Sequence, residues 1–295
     1  MTHSFDRYTA AGNTFLVMNT WEDPLSLSRE HTRELVRGAC DYQTGAGADG
    51  VILINQSGLA ADFRMDFYNP DGTTGMLCGN GARCAAMAAK DYGFLHSDAA
   101  SFEVLGAINS AAFLPNGDVR VYFQDPTVIR LNFSLPLKEG NITGSYIDLG
   151  SQHVVVFFDE YFGDSIEDFD IAHFGQLLRW HPEFAPKGAN ANFVEVREDG
   201  DEKYLRIRTF ERGVEGETLA CGTGCMSAAI VARLTEKILK TPIRLLTQSG
   251  EFVTVNFKLE GNHITHLSLE GSIVKGEAGV LSFDEQSGSV TIKYD

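Results

Sequence analysis

The sequence predicts an α/β (α+β type) protein of two similar domains. Each is an antiparallel-rich sheet rolled around a central helix, with the active site in the cleft between the domains. Three observations carry this. Many short segments alternate apolar and polar residues, the mark of half-buried strands. Two alanine-rich helical segments follow glycine-rich turns and are apolar on most sides, so they are buried on most sides. Three features recur in the same order at offsets of 138, 142 and 143 residues, which favours an internal duplication.

The elements follow in chain order. Gly12-Asn13-Thr14-Phe15 leads into an apolar strand, and Arg29 to Ala39 has a helical pattern. Phe63 to Phe67 alternates as a strand and ends in the turn Asn69-Pro70-Asp71-Gly72. Cys78-Gly79-Asn80-Gly81 then opens a helix running from about Asn80 to Tyr92. Val119 to Phe123 is a further strand. The series then restarts: Gly150-Ser151-Gln152-His153 leads into an apolar strand, and Asp168 to Trp180 reads as a helix. Leu205 to Arg208 alternates, and Cys221-Gly222-Thr223-Gly224 opens a helix from about Thr223 to Lys240, with a strand at Phe252 to Val255. The expected division is residues 1–125 completed by strands 274–295, and residues 126–273.

Composition narrows the function. The 295 residues hold 24 Lys plus Arg against 40 Asp plus Glu, a formal charge of -16, which repels phosphate backbones and anionic lipid. Neither nucleic acid nor a membrane is an expected partner. No apolar run of spanning length and no basic-then-apolar leader is present, so the expected location is cytoplasmic. The five cysteines are then read as reduced thiols.

Two of those thiols stand apart. Cys78 and Cys221 each precede Gly-x-Gly and a helix. Glycine lets the backbone approach a ligand closely. The first helical turn offers unpaired N–H groups and partial positive charge, a seat for a carboxylate that also favours thiolate over thiol. Two such units facing one another would hold a stereocentre beside a carboxylate with a sulfur on each face. One thiolate removes the α-proton, the opposite thiol returns one, and configuration inverts without metal or organic cofactor. The helix field supplies about 0.3–1 kcal/mol, and about 2 in favourable burial, so it shifts a thiol by only about one pKa unit. Neighbouring ionisable groups are needed, and His153 and Glu211 follow strands that lead to this region. Cys40, Cys84 and Cys225 read as packing residues. A four-cysteine metal site is not expected, because the Cys-x5-Cys and Cys-x3-Cys spacings do not match structural zinc sites.

These residues resemble the diaminopimelate epimerase family. The resemblance rests on Asp71-Gly72 through Cys78-Gly79-Asn80-Gly81-Ala82-Arg83-Cys84, on Phe210-Glu211-Arg212-Gly213, and on Glu217-Thr218-Leu219-Ala220-Cys221-Gly222-Thr223-Gly224. It runs from Tyr8-Thr9-Ala10-Ala11-Gly12-Asn13 to the C-terminal strands. It implies interconversion of LL- and meso-diaminopimelate in lysine and cell-wall synthesis, without pyridoxal phosphate, by a homodimer with Cys78 and Cys221 as the proton-transfer pair. By the same resemblance, Gly79, Asn80, Gly222 and Thr223 receive the reacting α-carboxylate. Asn13, Asn69, Asn190 and Arg212 hold the far amino-acid end, with Ser151 where many members have Asn. His153 and Glu211 tune the cysteines, and Glu211 also contacts substrate. Amide acceptors and a planar cation suit the ammonium and carboxylate of that far end. The chain departs from the family pattern at Thr14, Ser151 and Gly50. Two alternatives stay open: a cofactor-independent racemase of another amino acid, such as histidine, and a small-molecule-binding or thiol-metal module.

Overall fold

In the computed structural model, which describes residues 1–75, 77–162, 165–261 and 263–294, β1 (Thr2–Ala10) and β2 (Asn13–Asn19) form a tight antiparallel hairpin. Ala11 and Gly12 turn it with φ of 49° and 81°. The chain then leaves through α1 (Arg29–Cys40), capped by the Ser28 hydroxyl, and returns as β3 (Val51–Asn55) parallel to β2. β4 (Phe63–Tyr68) runs antiparallel to β3, with Ile52 opposite Phe67. After α2 (Gly79–Asp91), β5 (Ala99–Val104) lies parallel to β4. β6 (Ala107–Phe113) and β7 (Val119–Tyr122) continue antiparallel. α2 packs against β1, β2, β3 and β4. Ala82, Ala85, Ala86, Ala88 and Ala89 are all fully buried, and small side chains allow strands on several sides.

The second series repeats this plan. β8 (Val128–Leu137) and β9 (Gly140–Asp148) pair antiparallel, and β10 (Gln152–Phe157) turns back on β9. α3 (Ile171–Arg179) leads to β11 (Asn190–Asp199), parallel to β10, and β12 (Glu202–Glu211) returns antiparallel with Asn192 opposite Thr209. A short β13 (Gly216–Thr218) folds back on β12. α4 (Gly222–Leu234) then leads to β14 (Ile243–Leu246), parallel to β12, followed by antiparallel β15 (Phe252–Glu260) and by β16 (His263–Gly271). Finally β17 (Val274–Asp284) pairs antiparallel with β1, and β18 (Ser289–Tyr294) closes a hairpin on β17.

The chain divides into two compact units, Met1–Val121 with Glu270–Asp295, and Tyr122–Leu269. Both show the order antiparallel, parallel, antiparallel, parallel, antiparallel, with helices at the two parallel crossovers. The duplication expected from sequence is therefore present as a repeated topology. Registers match residue for residue. With Gly12 set against Gly150, Phe15 corresponds to His153, Ile52 to Asn192 and Phe67 to Thr209.

Two helices are shorter than their sequence patterns. α3 begins at Ile171 because the Asp170 carboxylate caps the His173 N–H at 3.0 Å. α4 ends at Leu234, short of Lys240, because Glu236 takes a left-handed φ of 60° and turns the chain. The expected C-terminal strand segment is described to Tyr294. Among the described residues, no helix is long and apolar enough to cross a membrane.

Candidate active site

Each unit ends one strand in a loop whose cysteine caps a helix. In the first unit, Cys78 is the N-cap of α2, and its Sγ accepts from the Gly81 N–H at 3.5 Å. Cys78 is partly exposed. Gly79 and Asn80 form the first helical residues, so the adjacent N–H groups have no helical partner upstream. Asn80 is buried in a directed line of hydrogen bonds. Arg83 Nη2 donates to Asn80 Oδ1 (2.8 Å), Asn80 Nδ2 to Asn13 Oδ1 (2.8 Å), and Asn13 Nδ2 to Asp49 Oδ2 (3.4 Å). A guanidinium only donates, so it fixes the orientation of both amides in turn. Asp49 is held further by the Thr14 N–H (2.8 Å) and the Tyr42 hydroxyl (3.1 Å). Thr14 thus contributes its backbone N–H. Asn69 lies in the turn after β4, where its Nδ2 donates to Thr73 Oγ1 at 3.0 Å.

In the second unit, Cys221 is the N-cap of α4 and is buried. Gly222 and Thr223 open the helix, with Thr223 Oγ1 3.5 Å from Cys221 Sγ. Glu211 closes β12 beside the sulfur, its carboxylate also accepting from Thr218 Oγ1 at 3.1 Å. Burial holds the Glu211 carboxyl above the usual carboxylate range, against the pull of the hydrogen bonds from Thr218 and Cys221. Burial and then the Glu211 charge push the Cys221 thiol well above its ordinary value, despite the hydrogen bonds from Thr223 and the Gly224 N–H. The helix start favours a thiolate, as expected, but burial opposes it more strongly. A dipole of about 2 kcal/mol at most loses to the desolvation of a buried anion beside a carboxylate.

His153 is fully buried, which drives its pKa down to about 3, so the ring is neutral. Its Nε2 lies 2.9 Å from Thr223 Oγ1, and its Nδ1 receives Asn192 Nδ2 at 3.2 Å. Asn190 sits two residues away on the same strand. It donates to Gln152 O (2.8 Å) and Ser151 Oγ (3.0 Å) and accepts the Arg212 N–H (2.8 Å). The Arg212 guanidinium is steadied by Gln152 Oε1 at 2.6 Å.

The structure thus groups Asn13, Cys78, Gly79 and Asn80 in one unit. It groups Ser151, His153, Asn190, Glu211, Arg212, Cys221, Gly222 and Thr223 in the other. Asn69 bonds within its own turn. Four residues were missed from sequence: Asp49, Arg83, Gln152 and Asn192. Asn192 alone carried a signal, as a second Asn at the i+2 position of a strand, on the same face as Asn190. Cys40, Cys84 and Cys225 are buried, and burial pushes Cys40 up to about 12. Among the described residues, no group of three or more His, Cys, Asp or Glu is placed to hold a metal ion.

Comparison with known proteins adds an independent line. The family model for diaminopimelate epimerase matches residues 5–129 and 145–274. The chain is 36% identical to the diaminopimelate epimerase of Aquifex aeolicus, covering 94% of this chain and 97% of that protein. It is 34% identical to the corresponding Hydrogenobaculum protein, covering 94% and 98%. In fold it is similar to a phenazine biosynthesis protein of the PhzF family from Bacillus anthracis, with TM-score 0.70, 16% identity and coverage of 96% and 100%. It is also similar to a hydroxyproline epimerase from Agrobacterium vitis, with TM-score 0.69, 17% identity and coverage of 98% and 95%.

Proposed function

The chain belongs to the diaminopimelate epimerase family and is an isomerase; on that basis we propose that it interconverts LL- and meso-2,6-diaminopimelate by moving the α-proton between two cysteines. The observation that supports this most directly is the pairing of like units. Each half of the duplication carries a cysteine as the N-cap of a Gly-x-Gly helix, and one of them, Cys221, sits against a carboxylate of raised pKa.

In this reading Glu211 takes the Cys221 proton and leaves a thiolate. The thiolate abstracts the substrate α-proton, so the Cα–H bond breaks as an S–H bond forms. The Cys78 thiol gives its proton to the opposite face, so a new Cα–H bond forms as that S–H bond breaks. Cys78 is left as the thiolate and Glu211 as the acid; Glu211 gives its proton to solvent and Cys78 takes one from it, which restores the starting state. In the reverse direction the roles of the two cysteines exchange. The electron pair left on Cα spreads into the α-carboxylate, which the N–H groups at Gly79-Asn80 and Gly222-Thr223 receive. The distal end is assigned to Asn13, Asn69, Asn190 and Arg212, with Ser151 beside them, and Glu211 also contacts substrate. Two sulfurs supply both proton transfers, so the reaction calls for no organic cofactor. The reading places the enzyme in the cytoplasm, as a homodimer, in the synthesis of lysine and peptidoglycan precursors.

The test is turnover of LL-diaminopimelate in deuterated water with no cofactor added. The expected result is meso product carrying deuterium at the inverted carbon. Inversion of histidine or another amino acid, with none of diaminopimelate, would overturn the substrate assignment. Full turnover after Cys78→Ala or Cys221→Ala would overturn the chemistry.

A further inference from the structure

Behind Cys221 runs a buried line of hydrogen bonds that the reaction above does not use. Thr209 Oγ1 donates to Asn192 Oδ1 at 3.0 Å. Asn192 Nδ2 donates to Val154 O at 2.9 Å and meets His153 Nδ1 at 3.2 Å. His153 Nε2 meets Thr223 Oγ1 at 2.9 Å, and Thr223 Oγ1 lies 3.5 Å from Cys221 Sγ. The main-chain carbonyl of Val154 can only accept, so the amide nitrogen of Asn192 must lie on that side. Its two hydrogens then go to Val154 O and His153 Nδ1. A ring nitrogen that accepts carries no proton, so the proton sits on Nε2 and is donated to Thr223 Oγ1. Asn190 Nδ2 also lies 3.5 Å from Nε2, but its two hydrogens go to Gln152 O and Ser151 Oγ, so it does not claim that nitrogen. The Thr223 hydroxyl keeps its own hydrogen for the sulfur.

We propose that Asn192, oriented by Thr209, is a positioning residue: it holds His153 as the Nε2-protonated tautomer, so that Thr223 points its hydroxyl hydrogen at Cys221. The proposal rests on Cys221 being one of the two proton-transfer groups. Two further observations support it. First, Gly224 leaves the space that Asn192 occupies, since a Cβ built there would stand 2.4 Å from Asn192 Oδ1 and 3.3 Å from Thr209 Oγ1. The second glycine of Cys-Gly-Thr-Gly therefore admits the amide to the helix start. Second, the scaffold itself does not require a polar line. At the matched positions the first unit packs Phe15, Ile52 and Phe67, all buried. Packing alone is met there by apolar groups, whereas every buried polar atom in the second unit must find a partner. The polar trio occurs in the unit whose cysteine is buried beside a carboxylate.

The test is the protonation of His153 seen by 15N NMR on histidine-labelled protein, with the signal assigned by its loss in His153→Gln. In the wild-type protein Nδ1 should be unprotonated and Nε2 protonated. Asn192→Asp replaces the donor by an acceptor, so the proton should move to Nδ1 and kcat should fall roughly tenfold to a hundredfold with KM little changed. Should Asn192→Asp fail to fold, Asn192→Ala gives the same answer: with no amide donor on Nδ1, the ring should become a mixture of tautomers. Protonated Nδ1 in the wild-type protein would overturn the proposal. So would a ring unchanged by both Asn192→Asp and Asn192→Ala. These signals are read without substrate, so failure of the protein to turn over diaminopimelate would remove the functional reading separately.

Discussion

Against the start of α2 the first unit places Ile52, with Phe15 and Phe67 edge to face at 5.9 Å beside it; against the start of α4 the second unit places Asn192 and Thr209, with His153 bonded to them. The strand plan is the same and the side-chain chemistry is opposite. In the first unit, polarity runs along another line, from Arg83 through Asn80 and Asn13 to Asp49, with a formal charge at each end. In the second, the line from Thr209 to Thr223 carries no formal charge, because burial keeps His153 neutral. The difference teaches what a duplicated scaffold can exchange. An apolar trio gives way to a polar one only if all its donors and acceptors are matched, since one orphaned group costs about 1–3 kcal/mol. It also implies that the two cysteines are not interchangeable. Cys221 is buried against a carboxylate and a hydroxyl, whereas Cys78 is partly open.

The largest test of that asymmetry is removal of either sulfur. Cys78→Ser and Cys221→Ser should each lower net epimerisation by roughly 10²–10⁴-fold, the usual worth of a positioned acid or base. Exchange of the α-proton with deuterated solvent, followed without inversion, should survive differently in the two variants. Equal residual exchange would show that the units act alike. Glu211→Gln comes next, with an expected loss of roughly a hundredfold in kcat. The Glu211 carboxyl ionises above the usual carboxylate range, so wild-type kcat/KM should climb with pH through that ionisation. The glutamine variant should lack this limb, and a pH profile of both proteins decides it.

A third test reads stability. His153 titrates near 3 when folded against an ordinary 6.5, so the unfolded chain binds the proton first. Its contribution is complete above pH 6.5 and is lost as pH falls from 6.5 toward 3. Between pH 7 and pH 4 that amounts to about 3 kcal/mol. Urea titrations should show this acid-linked loss in the wild-type protein and its absence in His153→Gln. Phe15, at the matched position, contributes nothing of the kind. The smallest effect separates the glycines. Gly224→Ala drives a methyl into Asn192 and should cost about 1–3 kcal/mol. Gly81→Ala meets only ordinary contacts at 3.4–3.5 Å and should be neutral or stabilising by up to about 1 kcal/mol through helix propensity. Thermal melts should therefore show a lowered Tm for Gly224→Ala and an unchanged or raised one for Gly81→Ala.

Much of the architecture is legible in the sequence because its signals are local. Cys-Gly-x-Gly before an alanine-rich run marks a buried helix start, and nearly constant offsets between the halves mark the repeat. What escapes is whatever depends on three strands meeting. Asn192 and Thr209 face each other only through the register of β11 with β12, and Asp49 reaches Asn13 from a loop 36 residues away. The protonation of Cys221 escapes for a related reason. The helix start is visible in the sequence, but the desolvation that outweighs it comes from atoms distant along the chain. The end of α4 was misplaced because a left-handed Glu236 has no composition signal.

The pairing of β1 with β17 has a consequence for how the molecule is made. Thr2 and Ser282 meet although they stand 280 positions apart in sequence. A ribosome therefore extrudes the whole of the second unit while β1 still shows a bare sheet edge on that side, open to strand-by-strand association with another nascent chain. The second unit, contiguous from Tyr122 to Leu269, has all its strands out of the exit tunnel first. Vectorial synthesis thus orders assembly: the later-encoded unit is sealed early, and the first-encoded one waits for the last strands to arrive.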